Sequence, residues 1–259
     1  MTPRIAYLGT RFKALLAYRF EIIIWLIGPL LQMLLLATVW RAVYDGRSTV
    51  DGVSLAVMTT YVTISTIHSL IAHDDMDDWV HERVNTGGVG VDLLRPLPFM
   101  EQTLWGSVAQ LGIKLLMIVV VLPVGAVFAG LSAPAHLGLY LIAAVLAWLV
   151  NLCMYLLLSS IVFWTLEVHG LNFMYFVVNA FLSGALVPLW FMPDWLATAL
   201  SWLPFQAIVF TPASIYVGQL TGTAAWQAIG VQFTWLVLLS ATAVLVWRRA
   251  VRKTVVQGG

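Results

Sequence analysis

The distribution of charge along the chain divides it into long apolar runs separated by short polar segments. No Asp, Glu, Lys or Arg occurs from Ile22 to Trp40, from Gly52 to Ala72, or from Leu115 to Leu166. A hydrocarbon core about 30 Å thick is crossed by roughly 20 apolar helical residues. The first two runs therefore predict one span each, at 22–40 and 52–72. The third is too long for one span, and Gly130-Leu-Ser-Ala-Pro134 marks a turn within it. This gives spans at 103–130 and 137–165, and two further runs predict spans at 171–190 and 224–247. The expected fold is an all-α integral membrane domain of six transmembrane helices occupying the whole chain, 1–259.

Composition strengthens this assignment. Hydrophobic residues make up 61% and charged residues 10% of the chain, and the mean hydropathy is +0.93. So little charge cannot cover a water-exposed surface, which excludes a soluble enzyme, and disorder needs the opposite composition. The net charge of +1 offers no basic face for nucleic acid. The single cysteine, Cys153, forms no intrachain disulfide and reads as a packed thiol.

The cations are sorted by loop. Arg4, Arg11, Lys13 and Arg19 precede the first span, Arg83 and Arg95 lie between spans two and three, and Arg248, Arg249, Arg252 and Lys253 follow the last. With six spans these segments share one side, and the enrichment of Lys and Arg in cytoplasmic loops makes that side the cytoplasm, with both termini inside. Residues 4–20 set Ile5, Leu8, Phe12, Leu15 and Leu16 at helical spacing among the cations, the pattern of an interfacial helix.

Three segments stand outside the plain spans. His73-Asp-Asp-Met-Asp-Asp-Trp-Val-His-Glu-Arg83 is the most charged. On a helix it aligns His73, Asp77 and His81, with Asp74, Asp78 and Glu82 beside them, and Asp75 adds a further carboxylate. Imidazole and carboxylate are ordinary metal ligands, yet this spacing suits any acidic helix, so a solvated or docking helix is the expectation and no metal site is assigned. The glycines of Asn85-Thr-Gly-Gly-Val-Gly90 lack the Gly-Lys-Ser/Thr of a phosphate-binding loop, so the chain is not expected to hydrolyse ATP. Residues 191–222 are apolar and rich in Pro and Trp, with Asp194 their one charge, and predict short helices re-entering the membrane from the outer side.

Two polar stripes run inside predicted spans. Thr59, Thr63 and Thr66 mark span two, and Asn172, Tyr175, Asn179 and Ser183 mark span five. Such side chains face either neighbouring helices, as packing contacts, or an aqueous path. Lys114 and Glu167 sit near the cytoplasmic ends of spans three and four, where snorkelling or ion pairing accounts for them. No catalytic constellation stands out.

This order of parts resembles the ABC-2 type permease family, the membrane subunits of ATP-binding-cassette exporters. Within it, Gly90-Val-Asp-Leu-Leu-Arg-Pro-Leu-Pro-Phe99 is similar to the Gly-x-x-Asp-x-Leu-Leu-x-Pro signature of a branch that includes viologen-exporter-like permeases. Gly184-Ala-Leu-Val-Pro-Leu-Trp-Phe-Met-Pro-Asp-Trp-Leu and Leu203-Pro-Phe-Gln206 resemble that branch's outer segment.

The resemblance implies a second permease subunit, identical or a sister, and two separate ATPase subunits that bind ATP and Mg, so that this chain itself carries no cofactor. It implies that the coupling loop, 73–101, contacts the ATPase through Asp74 to Arg83, with Asp92, Arg95 and Pro96 closing the segment and Glu167 in a second contact. It also implies a substrate path lined by spans two and five, and export of an amphipathic or aromatic small molecule across the bacterial cytoplasmic membrane by alternating access. Export of a lipid or glycan is the alternative within the family. A metal-dependent membrane enzyme or an ion-coupled carrier would belong to other classes.

Overall fold

The computed structural model describes residues 2–165 and 169–252. In order they form α1 (Pro3–Ala17), α2 (Arg19–Tyr44), a hairpin of β1 (Thr49–Val50) and β2 (Val53–Ser54), α3 (Leu55–Ala72), α4 (Met76–Asn85) and α5 (Gly88–Leu93). Then come α6 (Phe99–Val124), prolonged by a π-helical turn at Gly125–Ala129, α7 (Leu137–Ile161), α8 (His169–Leu182), α9 (Asp194–Ser201), α10 (Phe210–Tyr216) and α11 (Gly222–Arg252). Short 3₁₀ turns occur at Leu189–Phe191 and Phe205–Ala207.

Five helices among the described residues are long and apolar enough to cross a membrane: α2, α3 running on towards α4, α6, α7 and α11. A bent pair, Asp194–Ser201 with Phe205–Tyr216, makes a sixth if counted as one span. The chain is thus an all-α integral membrane protein.

The helices alternate between two ends. At one end Phe99 at the start of α6 stacks on Trp79 of α4 and on Trp247 near the end of α11, while Phe163, just past α7, meets Trp247 edge-on. This basic end gathers Arg4, Arg11, Arg83 and Arg95. At the opposite end Trp40 of α2 stacks on Phe191, and Tyr216 of α10 donates its hydroxyl to the Ser132 carbonyl. Ala135 N–H completes the join to the Tyr216 carbonyl. The second predicted span starts three residues later than expected, because Asp51 and Gly52, both at positive φ, form the two-residue turn of the hairpin. Ser54 then caps α3, its Oγ accepting from Val57 N–H.

α3 is the axis of the bundle. It is buried on most sides, against Met33 and Tyr44 of α2, against Met117 and Val121 of α6, and against Ala213 and Tyr216 of α10. α1 runs along the first half of α6 in the same direction, since Arg4 pairs with Glu101 and Phe12 lies against Gly112.

The predicted fifth span, 171–190, is not one helix. Among the described residues α8 has 14, about 21 Å at 1.5 Å per residue, which is short of a full crossing. The break is built in: Gly184 takes φ +79°, where a Cβ would also press on Leu189 and Phe210. The carbonyls released there are satisfied by Phe210 N–H on Ser183 and by the Tyr61 hydroxyl on Gly184, at 3.0 and 2.8 Å. The chain then runs without a long helix to Phe191 at the opposite end.

From there α9 and α10 form a hairpin bent by 78°. Its tip reaches Trp235 of α11, whose indole N–H donates to the Trp202 carbonyl at 3.0 Å, and α10 returns to the end it left. Gln232, wholly buried on α11, donates from Nε2 to the Ala207 carbonyl at 2.8 Å and to the Ala143 carbonyl at 3.1 Å.

Gly125 marks the closest approach of α3 to the π-helical turn: a Cβ there would collide with Thr63 Cγ2 and come within 3.2 Å of Met33 Sδ. Gly125→Ala is expected to destabilise the protein by about 1–3 kcal/mol, the usual cost of overpacking. Thr63→Ser removes the clashing methyl, so the double variant should recover most of the loss in thermal unfolding of the detergent-solubilised chain. A purely additive double variant would show that the contact does not limit packing there.

Candidate functional site

The segment joining α3 to α6 turns most of its acidic residues inward. Asp74 is buried; its Oδ1 accepts from Met76 N–H at 2.9 Å and from the Ser107 hydroxyl of α6 at 3.0 Å. Asp75 exchanges two hydrogen bonds with the Gln110 side chain and lies 3.5 Å from His73 Nε2. Asp77 is also buried, in the first turn of α4, and with Asp78 lines a hollow shared with Tyr155, Asn172, Phe173 and Phe176. Asp78 and Glu82 face outward, and His81 is joined to the Asn85 side chain at 2.9 Å. The predicted acidic docking row is therefore divided, with Asp74 and Asp75 fastening the start of α4 to α6, Asp77 buried beside them, and Asp78 and Glu82 on the surface.

Arg83 and Arg95 brace the rest of the loop around Asp92, which is fully buried. Arg83 Nε donates to Asp92 Oδ2, and Arg83 Nη2 donates to the Gly88 carbonyl. Arg95 Nη1 lies 3.3 Å from Asp92 Oδ1, and Gln102 Nε2 donates to the carbonyls of Asp92 and Leu97. On this base α5 lifts Val91, Leu93 and Leu94 into the open, Leu94 with 87% of its surface exposed. These apolar residues are a feature the sequence reading missed. Three of them within four positions of a charged, Gly- and Pro-rich loop were the available signal. Glu167 lies outside the described residues.

The two polar stripes have different surroundings. Thr59, Thr63 and Thr66 are buried and bonded: Thr59 to the Ala56 carbonyl, Thr66 to the Val62 carbonyl at 2.8 Å, and Thr63 to the Gly130 carbonyl at 3.1 Å. They pack α3 on itself and on the end of α6. On α8 and at the residue that follows it, by contrast, both amide atoms of Asn172, the Tyr175 hydroxyl, Asn179 Oδ1 and the Ser183 hydroxyl are shielded from solvent without a hydrogen-bond partner. Buried polar atoms are nearly always bonded, so a row of four such residues requires an explanation. Beside that row α8 exposes Phe173, Phe176 and Phe181. Within the chain the threonines face the end of α6, whereas the α8 row runs past Tyr155 and Phe205.

Among the described residues no three His, Cys, Asp or Glu side chains gather as a metal site would require. Fold and site together define a polytopic helical membrane protein with a polar loop braced by buried ion pairs at one end and a row of buried polar atoms without hydrogen-bond partners along α8.

The chain matches the model of the ABC-2 family transporter proteins over residues 29–258, and it belongs to that family. No curated protein matches it. As an ABC-2 permease it is a membrane transport component and not the ATPase, and it works with an ABC ATPase partner.

Loss of one partner from a buried charge pair leaves an uncompensated charge and costs about 3–5 kcal/mol. Asp92→Asn retains the shape of the site but leaves Arg83 and Arg95 without their anion. It is expected to lower the thermal midpoint and to open the 86–97 loop to limited proteolysis, while a surface control, Glu82→Gln, does neither. Wild-type protease resistance in Asp92→Asn would show that the brace does not hold the loop.

Proposed function

We propose that this chain is the permease of an ABC exporter that moves an amphipathic or aromatic small molecule outward by alternating access. The observation that carries the reading is the α8 row of buried, unbonded polar atoms next to exposed phenylalanines. A polar and aromatic surface left without partners inside one chain suits a path completed by a second permease subunit, identical or a sister. The substrate then meets Asn172, Tyr175, Asn179 and Ser183, while Thr59, Thr63 and Thr66 hold the scaffold.

In this reading the basic end faces the bacterial cytoplasm, in keeping with the preference of Arg and Lys for that side, and the α9–α10 hairpin dips in from outside. Two ATPase subunits bind ATP and Mg and act on the α4–α5 loop. The exposed Val91, Leu93 and Leu94 are the contact, and the Arg83–Asp92–Arg95 brace transmits its movement to α6. Substrate must favour one state of the cavity over the other for ATP to drive it, since only differential affinity shifts an equilibrium.

Leu94→Asp is expected to leave the thermal midpoint unchanged, because the side chain is exposed, and to abolish recovery of the ATPase complex and transport. A normal complex in this variant would remove α5 from the docking surface.

For the path, Asn179→Trp should assemble fully with its ATPase and alter substrate-stimulated ATP hydrolysis. Thr63→Trp should fail to assemble, because its site is closed by Gly125 and Gly130. Equal assembly and unchanged transport in both variants would sink the assignment of the path to α8.

A further inference from the structure

A second cleft lies at the basic end, between α1 and the α4–α5 loop and apart from the α8 hollow. Tyr7 and Arg11 of α1 form one wall, Trp79 and Arg83 of α4 another, and Asp92 and Arg95 close it. The Arg11 guanidinium sits 5.1 Å above the centre of the Trp79 ring. Its Nε is buried and has no hydrogen-bond partner. Arg83 is committed to Asp92 and to the Gly88 carbonyl, and Arg95 lies within ion-pair distance of the same carboxylate. The cleft is thus lined by three arginines and one carboxylate.

The neighbouring acid does not help, since Glu101 is held by Arg4 at 2.6 Å. Tyr7 registers the same field: burial pushes its phenol up, Arg11, Arg95 and Arg83 pull it back, and Asp92 adds to the rise.

A buried N–H without an acceptor is unfavourable, and a planar guanidinium fork matches the paired oxygens of a phosphate, as it does those of a carboxylate. α1 also exposes Ile5 and Leu16, apolar side chains of a kind that lie against acyl chains when cations of the same helix sit among headgroups. We propose that the cleft between α1 and the α4–α5 loop binds a phosphate group through Arg11 and Arg95, and that an anionic phospholipid headgroup supplies it. The bound headgroup ties α1 to the base of the docking loop, so the loop's rigidity depends on the lipid around the protein. This site is independent of the transported substrate.

The test is native mass spectrometry of the full-length chain with phosphatidylglycerol, phosphatidylcholine or inorganic phosphate. Wild type is expected to retain phosphatidylglycerol over phosphatidylcholine. Retention should weaken roughly fivefold for each of Arg11→Gln and Arg95→Gln, while Arg11→Lys, which keeps the charge, retains most of it. Arginine-dependent binding of inorganic phosphate, with no preference between the two lipids, would support the phosphate chemistry and overturn the lipid as its source. Equal retention of both lipids with no arginine dependence and no phosphate binding would overturn the site. Unchanged lipid retention with loss of the ATPase complex in the Gln variants would also overturn it, by assigning the arginines to a carboxylate of the partner. Should the Gln variants fold poorly, the wild-type comparison of the three ligands still decides.

Discussion

A chain that leaves helical geometry inside an apolar bundle exposes carbonyl and N–H groups that lipid cannot satisfy, and the interior of this protein is organised around meeting that demand. Tyr61 takes the Gly184 carbonyl, Trp235 the Trp202 carbonyl, and Gln232 the carbonyls of Ala207 and Ala143. Asn151 Nδ2 does the same for Ala72, where α3 ends. Each donor stands on a long helix and each acceptor lies at a break or a helix end, Ala143 excepted. The irregular stretch from 183 to 209 is therefore anchored to α3 and α11 through side-chain hydrogen bonds as well as through apolar contact. Its shape depends on those two helices keeping their relative positions.

The basic end obeys a related constraint with charges. Asp92 is the buried anion on which Arg83 and Arg95 converge, and Gln102 holds the backbone on either side of it. Asp74 and Asp75 fix the start of α4 to Ser107 and Gln110 of α6. The loop is consequently coupled to α6 at both of its ends, with α5 projecting between them. A force applied at Leu94 would reach α6 through polar contacts that are short and directional, and α6 packs against α3 and α1.

Much of this was legible in the sequence. The charge-free runs locate α2, α3, α6, α7 and α11, because length and hydrophobicity alone decide whether a helix can span. The Asp51-Gly52 pair carries a hairpin signal in plain form, yet the predicted span takes in Gly52, since a two-residue strand has almost no periodicity to read. The apolar run 171–190 concealed the end of α8, because the break depends on the backbone state of Gly184 and on partners, Tyr61 and Phe210, that are distant in sequence. The acidic row showed its helical alignment but not its direction. Whether Asp77 faces solvent or Tyr155 is settled by where α7 and α8 stand, and spacing within α4 holds no record of that.

The same limit explains why two polar stripes that look alike in sequence differ in the fold. A threonine hydroxyl can return its hydrogen bond to its own helix, and Thr59 and Thr66 do so, so it costs little to bury such a residue in a tight helix contact. An asparagine amide carries two donors and two acceptor sites and cannot be satisfied by one turn of its own helix. Where a neighbour supplies a partner, as the Ala72 carbonyl does for Asn151 Nδ2, the amide becomes a structural tie even though Asn151 Oδ1 stays unbonded. Neither amide atom of Asn172 has a partner, although both are shielded from solvent. The distinction between a packing residue and a surface awaiting a partner or substrate thus rests on hydrogen-bond satisfaction, which depends on the tertiary arrangement of α7, α8 and α11.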